Sequence, residues 1–427
     1  MTRFLWLLTL LGLTIGLWLL IDRPSTPQLV TEPPELLLRS GGQGTTMSNN
    51  QRAFSLSNRA MGLPERIRFA AGDEPFEHVF TSTDGLGDPN NGTSCLGCHI
   101  NNGRSVPADG QVTAPGVILL INMGLDAEGQ QIPHPELGLQ LQDRGQQAEG
   151  TLTVNWEETS GTFPDGTPYS LRSPLVVVDG VDLGDAFTSL RVAPPVFGGG
   201  LLESIPSTEL ESGADPQDRN QDGISGRTAQ TDAGIGRFGW KAQRPTIATF
   251  TQGAFEADFN LDFDLAAQHF GNDFLDDTSF YTSTVAVPAL RQRTDPEVLA
   301  GAAWFVQVGC ASCHNTTPWK TGENPVQALA NQTIVPFTDL LLHDMGDKLA
   351  DGLAQGNATG SEWRTPPLWG IGLTGVVGHE HYLHDGRART PEEAILWHGG
   401  EAQVARDTYM SLAASDRALV LRFLAAL

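Results

Sequence analysis

All four cysteines of this 427-residue chain fall in two copies of one pattern, Cys95-Leu96-Gly97-Cys98-His99 and Cys310-Ala311-Ser312-Cys313-His314. Cys-x-x-Cys-His is the attachment signature of a c-type haem. Two thiols three residues apart can each add to one vinyl group of the porphyrin, which leaves the adjacent histidine under the ring as proximal iron ligand. A single match could be a zinc knuckle or a redox pair. Two full matches with no cysteine left over do not fit either explanation. The chain is therefore expected to carry two covalently bound haem c groups, with His99 and His314 on the irons, and to have no disulfide framework.

Hydrophobic residues make up 40% of the chain and charged residues 18%, as in ordinary globular proteins. The formal charge of −24 argues against nucleic acid as a partner, because phosphate binding needs a basic face. It is compatible with a basic electron donor or simply with solubility. Arg3 precedes an apolar run from Phe4 to Ile21, just long enough to span a bilayer. Asp22-Arg23-Pro24 follows directly, without the small-x-small site of a cleaved signal. Residues 1–21 are thus read as a signal anchor, with a removed signal peptide as the alternative. Either places the chain outside the cytoplasm, in the periplasm or an equivalent compartment, where haem c is attached.

Residues 22–60, with Pro24, Pro27, Pro33, Pro34 and Ser40-Gly41-Gly42-Gln43-Gly44, read as a linker. Beyond it two haem units are expected, 61–285 and 286–427. In the second, Asp295-Pro296-Glu297 is a helix start, with an N-cap side chain and proline at the first position. Val298, Leu299, Ala302, Phe305 and Val306 follow at helical spacing and lead into Cys310. Ser415 is expected to cap a terminal helix running to Leu427. In the first unit, Leu152 to Trp156 alternates like a strand, Asp165-Gly166-Thr167 marks a turn, and Tyr169 to Val178 continues as a second strand. The expected class is mainly α: two cytochrome c-like haem domains with long coil and a small β insertion in the first.

His384-Asp385-Gly386-Arg387-Ala388-Arg389-Thr390-Pro391 and Arg364-Thr365-Pro366-Pro367-Leu368 resemble segments of bacterial di-haem cytochrome c peroxidases and MauG-type enzymes. Gly138 to Asp143, Ala193-Pro194-Pro195, Gly198 to Glu203, Arg237-Phe238-Gly239-Trp240-Lys241 and Trp397 to Ala402 are similar to the di-haem oxidoreductase family, whose members carry peroxidase and thiol-oxidoreductase labels. Protein-based thiol exchange conflicts with the sequence, since it needs a free thiolate and both cysteine pairs are taken by haem.

What lies opposite each proximal histidine decides function. An iron with two strong ligands moves electrons, and one with an open face can bind peroxide. The resemblance implies a sixth ligand for the second haem about fourteen residues past His384, where His398 stands. His398 is the first candidate and Met345 the second. No histidine or methionine follows His99 within twenty residues, which points to an open iron, with His134 as the residue that could still reach it. Relatives use a distal glutamate as proton-transfer group. Glu203, after the glycine turn at 198–200, is the candidate here, ahead of Glu209 and Glu211. Gln142 and Gln140 are candidate distal donors, and Trp240 a candidate bridge between the haems.

Asp218-Arg219-Asn220-Gln221-Asp222-Gly223-Ile224 matches the opening of an EF-hand loop, but Ala229 occupies the position of the closing glutamate. Asp218, Asn220, Asp222 and the Ile224 carbonyl form a candidate calcium site. Together these readings describe an exported di-haem oxidoreductase of peroxidase type. Hydrogen peroxide or oxygen would react at His99, His314 would relay electrons, and a small redox protein or an oxidisable substrate would donate them. The rivals are a plain electron-transfer cytochrome with both irons six-coordinate, and a haem-based sensing module.

Overall fold

The computed structural model describes residues 38–107 and 115–427. The apolar run 4–21 lies outside the described residues, and among those described no helix is long and apolar enough to cross a bilayer. The helices that frame the interior are α1 (Leu63–Glu77), α2 (Ile247–Phe259), α3 (Phe263–Phe270), α4 (Phe274–Thr284), α5 (Pro296–Val308), α6 (Pro391–Trp397), α7 (Gln403–Ser411) and α8 (Ala414–Ala426). The strands that matter are β1 (Val117–Asn122), β2 (Thr151–Thr162), β3 (Pro168–Asp179) and β4 (Phe187–Val192). Among the described residues helix accounts for 33% and strand for 18%, so the β content exceeds a minor insertion.

Helix α5 forms where its sequence predicts. The Asp295 side chain accepts the Glu297 N–H, Pro296 occupies the first turn, and Gly309 ends the helix in the left-handed conformation. Its buried face, including Val298, Trp304 and Phe305, packs on α8, with Phe305 edge-on to Phe423 at 5.3 Å between ring centroids. The two backbones approach so closely that a Cβ on Gly301 would stand 2.0 Å from the Leu419 carbonyl oxygen. The terminal helix begins at Ala414, one residue before the expected Ser415 cap, and Ala413 precedes it without a side-chain cap. In the first half α1 packs on α4, where Phe69 and Phe76 stack against Tyr281 at 4.6 and 4.9 Å.

Strands β2 and β3 pair antiparallel from Thr151↔Asp179 to Thr162↔Pro168, closing through Asp165-Gly166-Thr167 as the turn residues predict. The outer pair, Val117↔Val192 to Asn122↔Phe187, joins β1 to β4 around this hairpin and was not signalled by local pattern. Their inward residues form a second core with Leu119, Ile121, Leu141, Val154, Trp240 and Trp363.

The expected linker is shorter than 22–60. Thr46 and Ser57 bridge Pro288 and Val285, Val335 N–H donates to the Ser40 carbonyl, and Ala53 and Phe54 are fully buried. Proline and glycine content marks irregular chain, but it does not show whether that chain is packed. The main core draws on both halves: Phe54, Phe76 and Tyr281 share one cluster with Phe305, Trp369 and Phe423.

Candidate functional site

One cavity of about 500 Å³ is lined by both Cys-x-x-Cys-His motifs. Cys95–Cys98 form a single helical turn, and His99 follows with Nδ1 2.7 Å from the Pro194 carbonyl oxygen. A carbonyl only accepts, so Nδ1 carries the proton and Nε2 keeps its lone pair, as a haem ligand requires. His314 repeats the arrangement on the Phe337 carbonyl at 2.9 Å, and His398 on Ala394 at 2.6 Å. Burial lowers the pKa of all three imidazoles, that of His314 to about 4 with His398 contributing, so the rings stay neutral. Burial likewise pushes the Cys98 and Cys310 thiols up to about 12, and Cys95 and Cys313 upward too. Such thiols are protonated at neutral pH, which argues against thiolate exchange chemistry.

The rest of the lining fits two anionic prosthetic groups. Arg104, Arg237 and Arg364 reach the cavity; among the described residues none has a carboxylate in direct ion-pair contact, and Asp385, Glu203 and Asp339 act on them only from farther off. Arg237 donates to the Leu202 carbonyl and Ser207 Oγ, Arg364 to Gly239 and Thr365 carbonyls, and Arg104 to the Leu383 carbonyl. Arg104 Nε is buried with no acceptor. A buried guanidinium without a contacting carboxylate is costly, and haem propionates are carboxylates of the kind that would supply one.

Trp240 stands in this wall, its Nε1–H on the Val192 carbonyl at 2.9 Å and the Arg104 guanidinium 5.3 Å from its ring centre. Met345 also lines the cavity, with its carbonyl against Gly399 beside His398, so both sequence candidates for the second haem belong to one wall. Other expected residues lie elsewhere. Glu203 does not line the cavity; its Oε2 accepts the Ile247 N–H at 2.7 Å and so holds the start of α2. Glu209 and Glu211 are exposed on the short helix Ser207–Gly213. Gln142 donates to the Ala257 carbonyl and lines a separate shallow depression. Gln140 holds Asn91 Oδ1 and Asp258 Oδ1. His134 Nδ1 accepts the N–H groups of Glu136 and Leu137 in its own turn, away from the cavity.

In the Asp218–Ile224 loop the side-chain oxygens are engaged by backbone. Asp218 Oδ1 accepts from Asp222 and Gly223, and Asp222 Oδ1 from Ile224. Ser225, next along, donates N–H and Oγ–H to Glu401.

Sequence reasoning missed three titratable lining residues. Asp258 follows Ile247, Phe250, Thr251 and Ala254 along the cavity face of α2 and lies beside the first cysteine pair. Desolvation raises its carboxyl to about 6 despite the bond from Gln140. His343 is held by Asp339 Oδ2 at 2.9 Å and Glu401 Oε2 at 2.7 Å. His384 stacks on Trp363 at 3.7 Å and 13°, with Arg191 and Lys241 also 4.7 and 4.5 Å from the Trp363 ring centre. Only the helical spacing of α2 could have pointed to Asp258. His343 and His384 depend on contacts between distant segments.

A family described as "Di-haem oxidoreductase, putative peroxidase" matches residues 134–267 and 262–427. A search of curated proteins finds no match. Among solved structures, a chain of hydrazine synthase from Kuenenia stuttgartiensis is similar at 13% identity and a TM-score of 0.37, over 86% of this chain and 94% of that one.

Proposed function

The chain belongs to the di-haem oxidoreductase family, and from that we propose an exported enzyme of peroxidase type, built of two cytochrome c-like units and carrying two covalently attached c haems. Cys95 and Cys98 anchor one haem with His99 on its iron, and Cys310 and Cys313 the other with His314. Haem c supplies one-electron chemistry where both faces of the iron are liganded and peroxide reduction where one face is open.

One asymmetry of the lining carries this reading. His314 and His398 both tie Nδ1 to a carbonyl and keep Nε2 available. The other described histidines of the lining are committed elsewhere: His343 to carboxylates on both nitrogens, and His384 to the face of Trp363, with Nε2 toward Asp385 Oδ2 at 3.6 Å. His398 therefore completes the His314 site, while His99 is left without an imidazole opposite. Phe76, Phe238, Phe250 and Phe259 keep the cavity apolar. Asp258 is the lining carboxyl suited to take a proton from bound peroxide and return it to the departing oxygen, since its pKa lies near neutrality. Trp240, in the same wall, couples the two haems in this reading. The apolar run 4–21 tethers the enzyme to the cytoplasmic membrane, and a small redox protein or oxidisable substrate supplies electrons.

Ferric enzyme should show one high-spin and one low-spin iron by paramagnetic resonance, with cyanide converting the first. His398→Ala should turn the low-spin signal high-spin without loss of haem. A wild-type spectrum that is wholly low-spin and indifferent to cyanide would favour the electron carrier.

A further inference from the structure

Away from the cavity, His78, Asp84 and His269 converge from three separate segments. His78 follows α1, Asp84 closes the short helix Ser82–Asp84, and His269 is near the end of α3. His78 Nε2 lies 3.1 Å from Asp84 Oδ2, and His269 Nδ1 lies 3.2 Å from Asp84 Oδ1. The three candidate ligand atoms all fall within 4.8 Å of one another. We propose that His78, Asp84 and His269 form a binding site for a divalent transition ion of the zinc class, with a remaining position open to solvent.

The donor set selects the ion. Two imidazole nitrogens and one carboxylate oxygen suit zinc, copper or nickel, whereas calcium and magnesium prefer all-oxygen shells. Nitrogen–oxygen separations near 3 Å match ligands that each stand about 2 Å from a common tetrahedral ion. Asp84 is the fixed member: its side chain is 9% exposed, and Oδ2 takes both the N–H and the Oγ–H of Thr81, at 3.1 and 2.8 Å. Outer bonds of this kind orient a ligating carboxylate.

The two rings are restrained by packing. His78 lies edge-on to Phe80 at 5.1 Å and to Phe270 at 4.9 Å, and His269 rests on Phe270 at 4.4 Å. Their own centroids are 5.1 Å apart. Little side-chain freedom remains to be lost on binding, which favours affinity. His269 is 44% exposed, which leaves a path for the ion and a face for water. The site is separate from the cavity: its residues do not line it, and Phe80 packs between His78 at 5.1 Å and the cavity residue Phe259 at 5.4 Å.

The test uses the haem-loaded protein, stripped with chelator and dialysed against micromolar zinc, with zinc per chain measured by elemental analysis. One zinc per chain is expected in the wild type. His269→Gln and Asp84→Asn should each lower occupancy at least tenfold at the same free zinc, with the haem absorption spectrum unchanged. His269→Gln alters a half-exposed side chain and so remains informative if Asp84→Asn fails to fold. A wild type that takes up no zinc, or variants that take up as much as the wild type, would overturn the site.

Discussion

Asp258 is the residue whose ionisation matters most to the proposed reaction. Desolvation lifts its pKa from the ordinary 3.8 to about 6. To accept a proton from peroxide it must be ionised, so peroxide consumption should fall about tenfold per pH unit below that value. Asp258→Asn should slow the reaction by about 100-fold and remove this limb of the pH profile. Stability runs the other way. A carboxyl raised in the folded state gives its full contribution below pH 3.8, and that contribution is lost as pH rises through about 6. The loss is at most about 3 kcal/mol, from 1.36 kcal/mol per unit. Denaturant midpoints at pH 5 and pH 8 should therefore differ more in the wild type than in Asp258→Asn. Equal differences would mean that the carboxyl titrates normally.

At the scale of elements, α5 and α8 carry a sharper constraint. Gly301 faces the Leu419 carbonyl at a distance no Cβ can occupy, so Gly301→Ala forces the helices apart. About 1–3 kcal/mol of stability should be lost. Gly213, at the end of the helix Ser207–Gly213, has nothing within 4 Å of a built Cβ, and Gly213→Ala should be close to neutral in the same denaturation assay. Similar losses in both would assign the effect to backbone propensity and not to packing. The same elements mark what was legible in the chain. Asp295-Pro296 and Asp165-Gly166-Thr167 carry their geometry locally, so α5 and the β2–β3 hairpin could be read. The two Cys-x-x-Cys-His motifs could be read because each is a contiguous five-residue pattern, and both line the one cavity. Packing of residues 40–60 could not, since Ala53 and Phe54 are buried by partners more than a hundred residues away. Glu203 had the same difficulty: glycine-rich context suggested a cofactor neighbour, but a backbone N–H at Ile247 accounts for its carboxylate.

For the whole molecule, the main core decides how independent the two proposed units are. Phe54, Phe76 and Tyr281 of the first half belong to the same buried cluster as Phe305 and Phe423 of the second. The strand bridges Thr46↔Pro288 and Ser57↔Val285 fasten the N-terminal stretch across the expected boundary at 285. Units joined by a shared core should open together, because neither can expose its apolar face without exposing the other's. Hydrogen exchange in mild denaturant tests this. Gly301→Ala perturbs only α5 and α8, yet protection in α4 should fall by the same factor as in α8. If α4 keeps wild-type protection while α8 loses it, the halves fold separately and the cavity between them is a docked interface. Equal loss would mean that the geometry around His99 depends on packing near His314, so mutations in either unit would alter the chemistry of both.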